Sequence, residues 1–286
     1  MKFTTIGVVG AGTIGIGVVT DLVLHGLNAV VVDISDAALR RAKDEVLKNV
    51  RFAPMFSKTL PRVTPEEAVR RMTFTRELND LAACEMIIEN VPEKWEIKRP
   101  IYEQLDAIMP PEVCFGANTS CISIAKIAAL TRRPAQIIGL HVMNPVHLKP
   151  TVEVIRGPHT SDDTVAKLQA LFDQLNKQAI IVNDSPGFVS NRISHVFMNE
   201  AAFVLQDQVS TAEKIDQLFK QCFGHKMGPL ETADLIGLDT VANSLDVLFE
   251  SFHDPKYRCC PLLRKLVEAG HLGRKTGCGF HTYPEA

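Results

Sequence analysis

Metal-ligand and disulfide spacings are missing from this sequence. Its seven cysteines are odd in number and form no CxxC pair, and its nine histidines contain no HExxH or HxH arrangement. A zinc site or a disulfide framework is therefore not expected. Free thiols in a reducing cytoplasm are. An excess of either charge is missing as well. A net charge of −2 over 286 residues gives no electrostatic reason to bind nucleic acid or an anionic membrane. No apolar run approaches the roughly 18–20 residues needed to cross a bilayer. Met1-Lys2-Phe3 leads straight into a strand-like run, which leaves no room for a signal peptide. Repeats and low-complexity segments are absent too. What remains is a soluble globular composition with length enough for two domains.

The informative segment lies near the start. An apolar run, Thr5-Ile6-Gly7-Val8-Val9, is followed at once by Gly10-Ala11-Gly12-Thr13-Ile14-Gly15. Ala29-Val30-Val31-Val32-Asp33 comes next. Strand, glycine loop, helix, strand and acid form the pattern of a dinucleotide-binding unit. Gly10 permits the tight turn, Gly12 lets the backbone approach a pyrophosphate, and Gly15 lets helix and strand pack closely. The helix opening at Thr13 and Ile14 turns N–H groups and a positive dipole end toward the phosphates. Asp33 can accept hydrogen bonds from the ribose hydroxyls and would repel a 2′-phosphate, so NAD is expected rather than NADP. Arg40 and Arg41 fall about two helical turns further on and are not expected to meet a 2′-phosphate. A glycine-rich turn in an ordinary α/β domain is the alternative.

Short β-rich runs then alternate with helical stretches as far as Asp184. Strands are expected at Thr4–Val9, Asn28–Asp33, Met72–Thr75, Met86–Glu89, Val113–Ala117, Gln136–His141, Thr151–Ile155 and Gln178–Asn183. The fold class is α/β, a Rossmann-type, doubly wound and mostly parallel sheet. The short link between 136–141 and 151–155 suits an antiparallel hairpin, so the sheet is expected to be mixed. After Ser185-Pro186-Gly187 the pattern becomes helical at Phe188–Gln206, Thr240–Phe252 and Pro261–Ala269. Ser210-Thr211-Ala212-Glu213 reads as a capping box, and strand character returns only near Phe280. The expected domains are 1–186, binding the dinucleotide, and 187–286, a smaller all-α domain.

His141 and Glu153 are equidistant from His147, the middle of the connection. A hairpin centred there makes them cross-strand partners on one face. A carboxylate on one imidazole nitrogen fixes the tautomer and leaves the other nitrogen to move protons. A solvated His and a surface Glu on an edge hairpin fit the same pattern. Asn118-Thr119-Ser120 follows a strand, and in a doubly wound sheet that strand end faces the crevice. Ser120 could hold a substrate oxygen there or cap the next helix. Asn191 opens the first helix of the second domain, where it could reach over the crevice or serve as a cap.

The ordered set GAGTIG, Asp33, NTS at 118–120, HxxNP at 141–145, VEVIRG at 152–157, DSPGFVSNR at 184–192, MGPLETADLIGLD at 227–239 and GRKTGCGF at 273–280 resembles the 3-hydroxyacyl-CoA dehydrogenase family over essentially the whole chain. The resemblance implies a catalytic base at His141 and an orienting partner at Glu153. It implies that Ser120 and Asn191 bond the reacting oxygen region, and that Asn144 lies near the nicotinamide. Glu93, Lys98 and Lys275 match the family's NAD contacts. It also implies a homodimer built on the helical domain. A non-catalytic NAD-binding relative is the reading from another class, and an intact His141–Glu153 pair argues against it. Lysine-base dehydrogenases of similar fold are disfavoured by the match at His141.

The departures concern the thioester carrier. Relatives that bind coenzyme A carry a small polar residue and, seven positions later, a lysine; here these are Asn49 and Phe56. Pro54 is expected to break or kink that helix. Val142-Met143 replaces an aromatic pair and Lys149 a methionine. NVRFAPMFSK and HVMNPVHLK resemble a subgroup associated with polyketide and nonribosomal peptide assembly. That resemblance implies a small polar hydroxyacyl group such as glyceryl on an acyl carrier protein, leading to hydroxymalonyl or aminomalonyl extenders. The alternative is a 3-hydroxybutyryl-CoA dehydrogenase of primary fatty-acid or butanoate metabolism.

Overall fold

A computed structural model describes residues 1–283. Strands β1 (Thr5–Val9), β2 (Asn28–Val32), β3 (Met72–Thr75), β4 (Met86–Glu89), β5 (Cys114–Asn118), β6 (Ile137–His141), β7 (Thr151–Arg156) and β8 (Gln178–Asn183) form one sheet in the order 3-2-1-4-5-6-7-8. Pairing is parallel from β3 through β6, antiparallel between β6 and β7, and parallel again between β7 and β8. The order reverses between β1 and β4. That switch point opens a crevice at the carboxyl ends of the strands, where dinucleotides bind in such sheets.

The central strands are apolar on both faces because helices cover both. Helices α1 (Thr13–Leu24), α2 (Asp36–Phe56), α3 (Pro65–Arg70), α4 (Trp95–Ile108), α5 (Ile124–Ala128) and α6 (Asp162–Gln174) belong to this unit. Ile6, Val8, Leu22, Val31, Met86 and Ile138 are fully or almost fully buried, each contributing about 1.5–3 kcal/mol of transfer free energy. Ser35 starts α2 by accepting the Ala38 N–H at 3.2 Å, the usual N-cap geometry.

Pro54 does not break α2. The helix runs to Phe56, and Ser57 N–H still reaches the Ala53 carbonyl at 3.1 Å. A proline one turn from the end removes only its own bond to the Val50 carbonyl, and the helix stops before a second turn has to form.

The chain divides between Ser185 and Pro186. The second unit is helical: α7 (Ser190–Gln206), α8 (Ala212–Cys222), α9 (Pro229–Ile236), α10 (Leu238–Phe252) and α11 (Pro261–Glu268). They enclose a core of Met198, Ile215, Leu230, Val241, Leu245 and Leu263. The expected Ser210/Glu213 capping box is not formed. Thr211 is the cap, accepting the Lys214 N–H at 3.4 Å, because α8 starts one residue later than that box requires. Near Phe280 there are two isolated bridges, Gly273 with Cys278 and Cys278 with Thr282, rather than a strand. The tail is held by Asp234, which accepts from Phe280 N–H, His281 N–H and the Tyr283 hydroxyl, each at 2.9 Å. No helix among the described residues is long and apolar enough to cross a membrane.

Candidate active site

The crevice at the switch point has a volume of about 990 Å³ and is lined by Gly10, Gly12, Thr13, Ile14, Asp33, Asn90, Glu93, Asn118, Thr119 and Ser120, among others. Gly10 sits at φ +95°, and a Cβ there would come within 2.8 Å of the Asn90 carbonyl. A Cβ on Gly15 would stand 1.9 Å from the Gly10 carbonyl oxygen. Gly15 is thus a packing residue behind the loop and does not line the crevice. A Cβ on Gly12 would meet no protein atom within 4 Å, so the space in front of the α1 N-terminus is open. Asp33 is pinned at the tip of β2: Oδ2 accepts the Ala11 N–H at 2.8 Å and Oδ1 the Ser35 N–H at 2.9 Å.

Arg41 lines the crevice, as does Arg76. Helix α2 starts only three residues after Asp33, which keeps its first two turns beside the pocket. Arg76 also lies 3.6 Å from Asp36.

His141 and Glu153 are direct partners in the β6–β7 register. Imidazole Nδ1 is 2.9 Å from Glu153 Oε2, and both side chains are largely buried. A carboxylate at Nδ1 favours the tautomer with its proton on that nitrogen. On the next strand, Asn118 Oδ1 accepts a long 3.5 Å bond from Val142 N–H. The turn that follows carries Thr119 and Ser120 onto the crevice wall.

Lys98 is fully buried and is not among the crevice-lining residues, although its helix neighbours Ile97 and Ile101 are. Asn144 is exposed in the turn after β6. In the helical unit, Asn191 lies in the first turn of α7, where its carbonyl meets His195 Nδ1 at 3.0 Å. Lys275 pairs with Asp239 at 2.6 and 2.7 Å. Sequence reasoning missed Asn90, Thr119, Arg41 and Arg76. Asn90, Thr119 and Arg76 follow the carboxyl ends of β4, β5 and β3, and for the first two that rule alone could have found them.

Two family profiles account for the chain. The NAD-binding domain of 3-hydroxyacyl-CoA dehydrogenase matches residues 5–185, and the C-terminal domain of the same family matches residues 187–283. The chain belongs to the 3-hydroxyacyl-CoA dehydrogenase family. A 3-hydroxybutyryl-CoA dehydrogenase of Bradyrhizobium diazoefficiens is 43% identical over 281 residues, covering 97% of this chain and 94% of the relative. A probable 3-hydroxybutyryl-CoA dehydrogenase of Deinococcus radiodurans is 42% identical over 283 residues, covering 99% and 100%. The crystal structure of (S)-3-hydroxybutyryl-CoA dehydrogenase from Ralstonia eutropha superposes with a TM-score of 0.94 at 42% identity, covering 99% of this chain and 100% of that one.

As a member of the 3-hydroxyacyl-CoA dehydrogenase family the chain is an NAD-dependent oxidoreductase, and its crevice fits that cofactor. The open space before Gly12 suits a pyrophosphate at a helix N-terminus. Asp33 suits ribose hydroxyls. Asn90 Oδ1 is buried in the lining with no hydrogen-bond partner among the described residues, an acceptor that a bound ligand can satisfy.

Proposed function

We propose that this protein interconverts a short 3-hydroxyacyl thioester and its 3-oxoacyl thioester. The observation that carries the reading is the His141–Glu153 contact at 2.9 Å beside β5 and its turn. His141 Nε2 takes the substrate hydroxyl proton, and Glu153 holds the ring and stabilises the imidazolium that results. When bound, NAD supplies the acceptor for the hydride that leaves C3. In the reverse direction the imidazolium returns the proton. Ser120 and Asn191 are assigned to the reacting oxygen, Asn144 and Lys275 to the cofactor side, and the helical unit to the acyl group and to a homodimer contact. Ile193, Leu218 and Phe223 are exposed apolar residues of that unit and support the dimer assignment. The cysteines are free thiols, which suits the cytoplasm.

Two carriers are compatible with this chemistry. Coenzyme A is supported by the names of the relatives, and 3-hydroxybutyryl-CoA is the first substrate to test. An acyl carrier protein bearing a short polar group, as in extender-unit synthesis, is favoured by one feature of α2. Phe52, Met55 and Phe56 are 38%, 78% and 70% exposed, where packing inside the domain would have buried them. Arg51 stacks over Phe52 at 5.7 Å, so an acidic partner with apolar anchors would fit. Asn49 turns inward to Thr20 at 3.4 Å. The test is NADH formation from the same hydroxyacyl groups on coenzyme A and on a carrier protein. A kcat/KM about tenfold higher on the carrier protein, lost on Arg51→Glu, selects the carrier. Equal or better use of the coenzyme A thioester selects coenzyme A.

A further inference from the structure

Lys177 stands just before β8, with its backbone N–H bonded to the Phe172 carbonyl in the last turn of α6 at 2.8 Å. Its side chain is only 4% exposed. Nζ donates to the carbonyls of Val146 and Lys149 at 2.8 and 2.6 Å and lies 3.0 Å from Asp21 Oδ2. An ammonium has three donors, and these partners occupy all three. A cavity of about 260 Å³ borders the cluster, yet the lysine keeps no donor for a ligand there. Its bonds go to the protein.

The two carbonyls belong to the turn that joins β6 to β7. His141 is the last residue of β6 and Glu153 the third of β7, so the turn lies between the members of the pair. The same turn rests on α1. A Cβ on Gly17 would stand 2.7 Å from Val146 Cγ2, and Asp21 is four residues further along that helix face. Asp21 supplies the counter-charge in an enclosure that is otherwise costly for an ion. His25 flanks this carboxylate, its Nδ1 3.3 Å from Asp21 Oδ1. The N–H groups of Leu148 and Lys149 close the turn on the Pro145 and Val146 carbonyls at 3.1 and 3.2 Å, and Gln178 N–H bonds the Pro150 carbonyl at 2.8 Å. An apolar side chain in place of Lys177 would fill the space but could donate to neither carbonyl. The helix whose N-terminus suits a pyrophosphate thus also seats the hairpin of the His141–Glu153 pair.

We infer that Lys177 is a positioning residue: its ammonium, balanced by Asp21, clamps the turn between β6 and β7 onto α1 and so fixes the hairpin that aims His141. The inference rests on the role proposed for His141 as the base.

The test uses the full chain carrying Lys177→Met, Asp21→Asn or the charge-neutral double change Asp21→Asn/Lys177→Met. The double change is included because Lys177→Met alone leaves Asp21 buried without its ammonium and can fail to fold. Four quantities are measured. They are hydrogen exchange at the amides of Leu148, Lys149 and Gln178, the NMR signal of the proton between His141 Nδ1 and Glu153, NADH affinity by fluorescence titration, and the single-turnover rate of NADH formation from 3-hydroxybutyryl-CoA. The last separates chemistry from product release. In Lys177→Met and in the double variant, exchange should accelerate about tenfold or more and the His141 signal should broaden. Their single-turnover rate should fall about 10–10²-fold, the scale of a small misplacement near the chemistry, while the NADH Kd stays within about threefold. Asp21→Asn keeps an acceptor for the ammonium and both carbonyl bonds, so it should lose less of the rate than either. Unchanged exchange with an unchanged His141 signal in the folded double variant, or a wild-type single-turnover rate there, would overturn the inference. So would an NADH affinity lowered more than about tenfold, the mark of a general loss of structure. If the wild type does not oxidise the thioester at all, the functional reading fails instead, and exchange with the His141 signal still decides the clamp.

Discussion

Glu153 stands directly across the β6–β7 ladder from His141, and its Oε2 lies 2.9 Å from the imidazole Nδ1. The pairing sets both the tautomer and the aim of the ring. His141→Ala is expected to lower kcat by about 10²–10⁴-fold, the usual contribution of general acid–base catalysis. Glu153→Gln should lower it less, because the amide can still hold the ring but carries no charge to stabilise the imidazolium. NADH affinity should change little in either. Near-normal turnover by folded His141→Ala would remove the assignment.

Asp33 is the residue proposed to set the choice of dinucleotide. Its carboxylate is pinned by Ala11 and Ser35 and lines the crevice, and a carboxylate there would repel a 2′-phosphate, so kcat/KM should favour NAD. Arg41 and Arg76 already line the same end. Asp33→Ser should therefore raise kcat/KM with NADP by about tenfold or more, equivalent to about 1.4 kcal/mol. Adding Arg41→Ala and Arg76→Ala should cancel the gain. A wild type that prefers NADP would contradict the reading.

Gly15 has no room for a side chain. A Cβ would press to 1.9 Å from the Gly10 carbonyl oxygen, and backbone must move to relieve it. Gly15→Ala should lose measurable NADH binding by fluorescence and lower the Tm, whereas Gly12→Ala should keep the Tm and weaken only the binding. Equal thermal stability of the two variants would show that the loop adapts.

Acid sensitivity should involve His147. Burial holds its imidazole below the ordinary value of 6.5, with nearby Lys177 adding to the effect and Asp21 opposing it. The depressed folded pKa means that the unfolded chain binds the proton first as pH falls below 6.5. Stability is then lost on acidification and levels off below the folded pKa. Denaturant unfolding of His147→Gln should show a shallower decline over that window. His25 lies in the same cluster with Asp21 and Lys177 and is shifted the other way, so the comparison with wild type isolates His147. Identical pH profiles would refute the assignment.

Local chemistry alone made the glycine loop, the acid after β2, the alternation of strands and helices, and the His141–Glu153 pairing readable. Each depends on spacing along a few residues: period-two strands, a short hairpin, a helix starting after a glycine turn. Other features depend on residues far apart in the chain, and only the tertiary structure decided them. Lys98 reads as an ordinary helix lysine beside Glu93, yet packing turns it under the sheet onto Glu89 and Asn118. Arg76 follows β3 and reaches the crevice only because β3 lies beside β2 at the sheet edge. Phe52, Met55 and Phe56 look like core residues by type, and only the surface left uncovered by neighbouring elements exposes them. Pro54 reads as a helix breaker until the end of α2 is placed one turn beyond it. Spacing encodes contacts within a strand pair or a helix turn. Which face is buried, and which distant charge meets it, depends on how the elements stack.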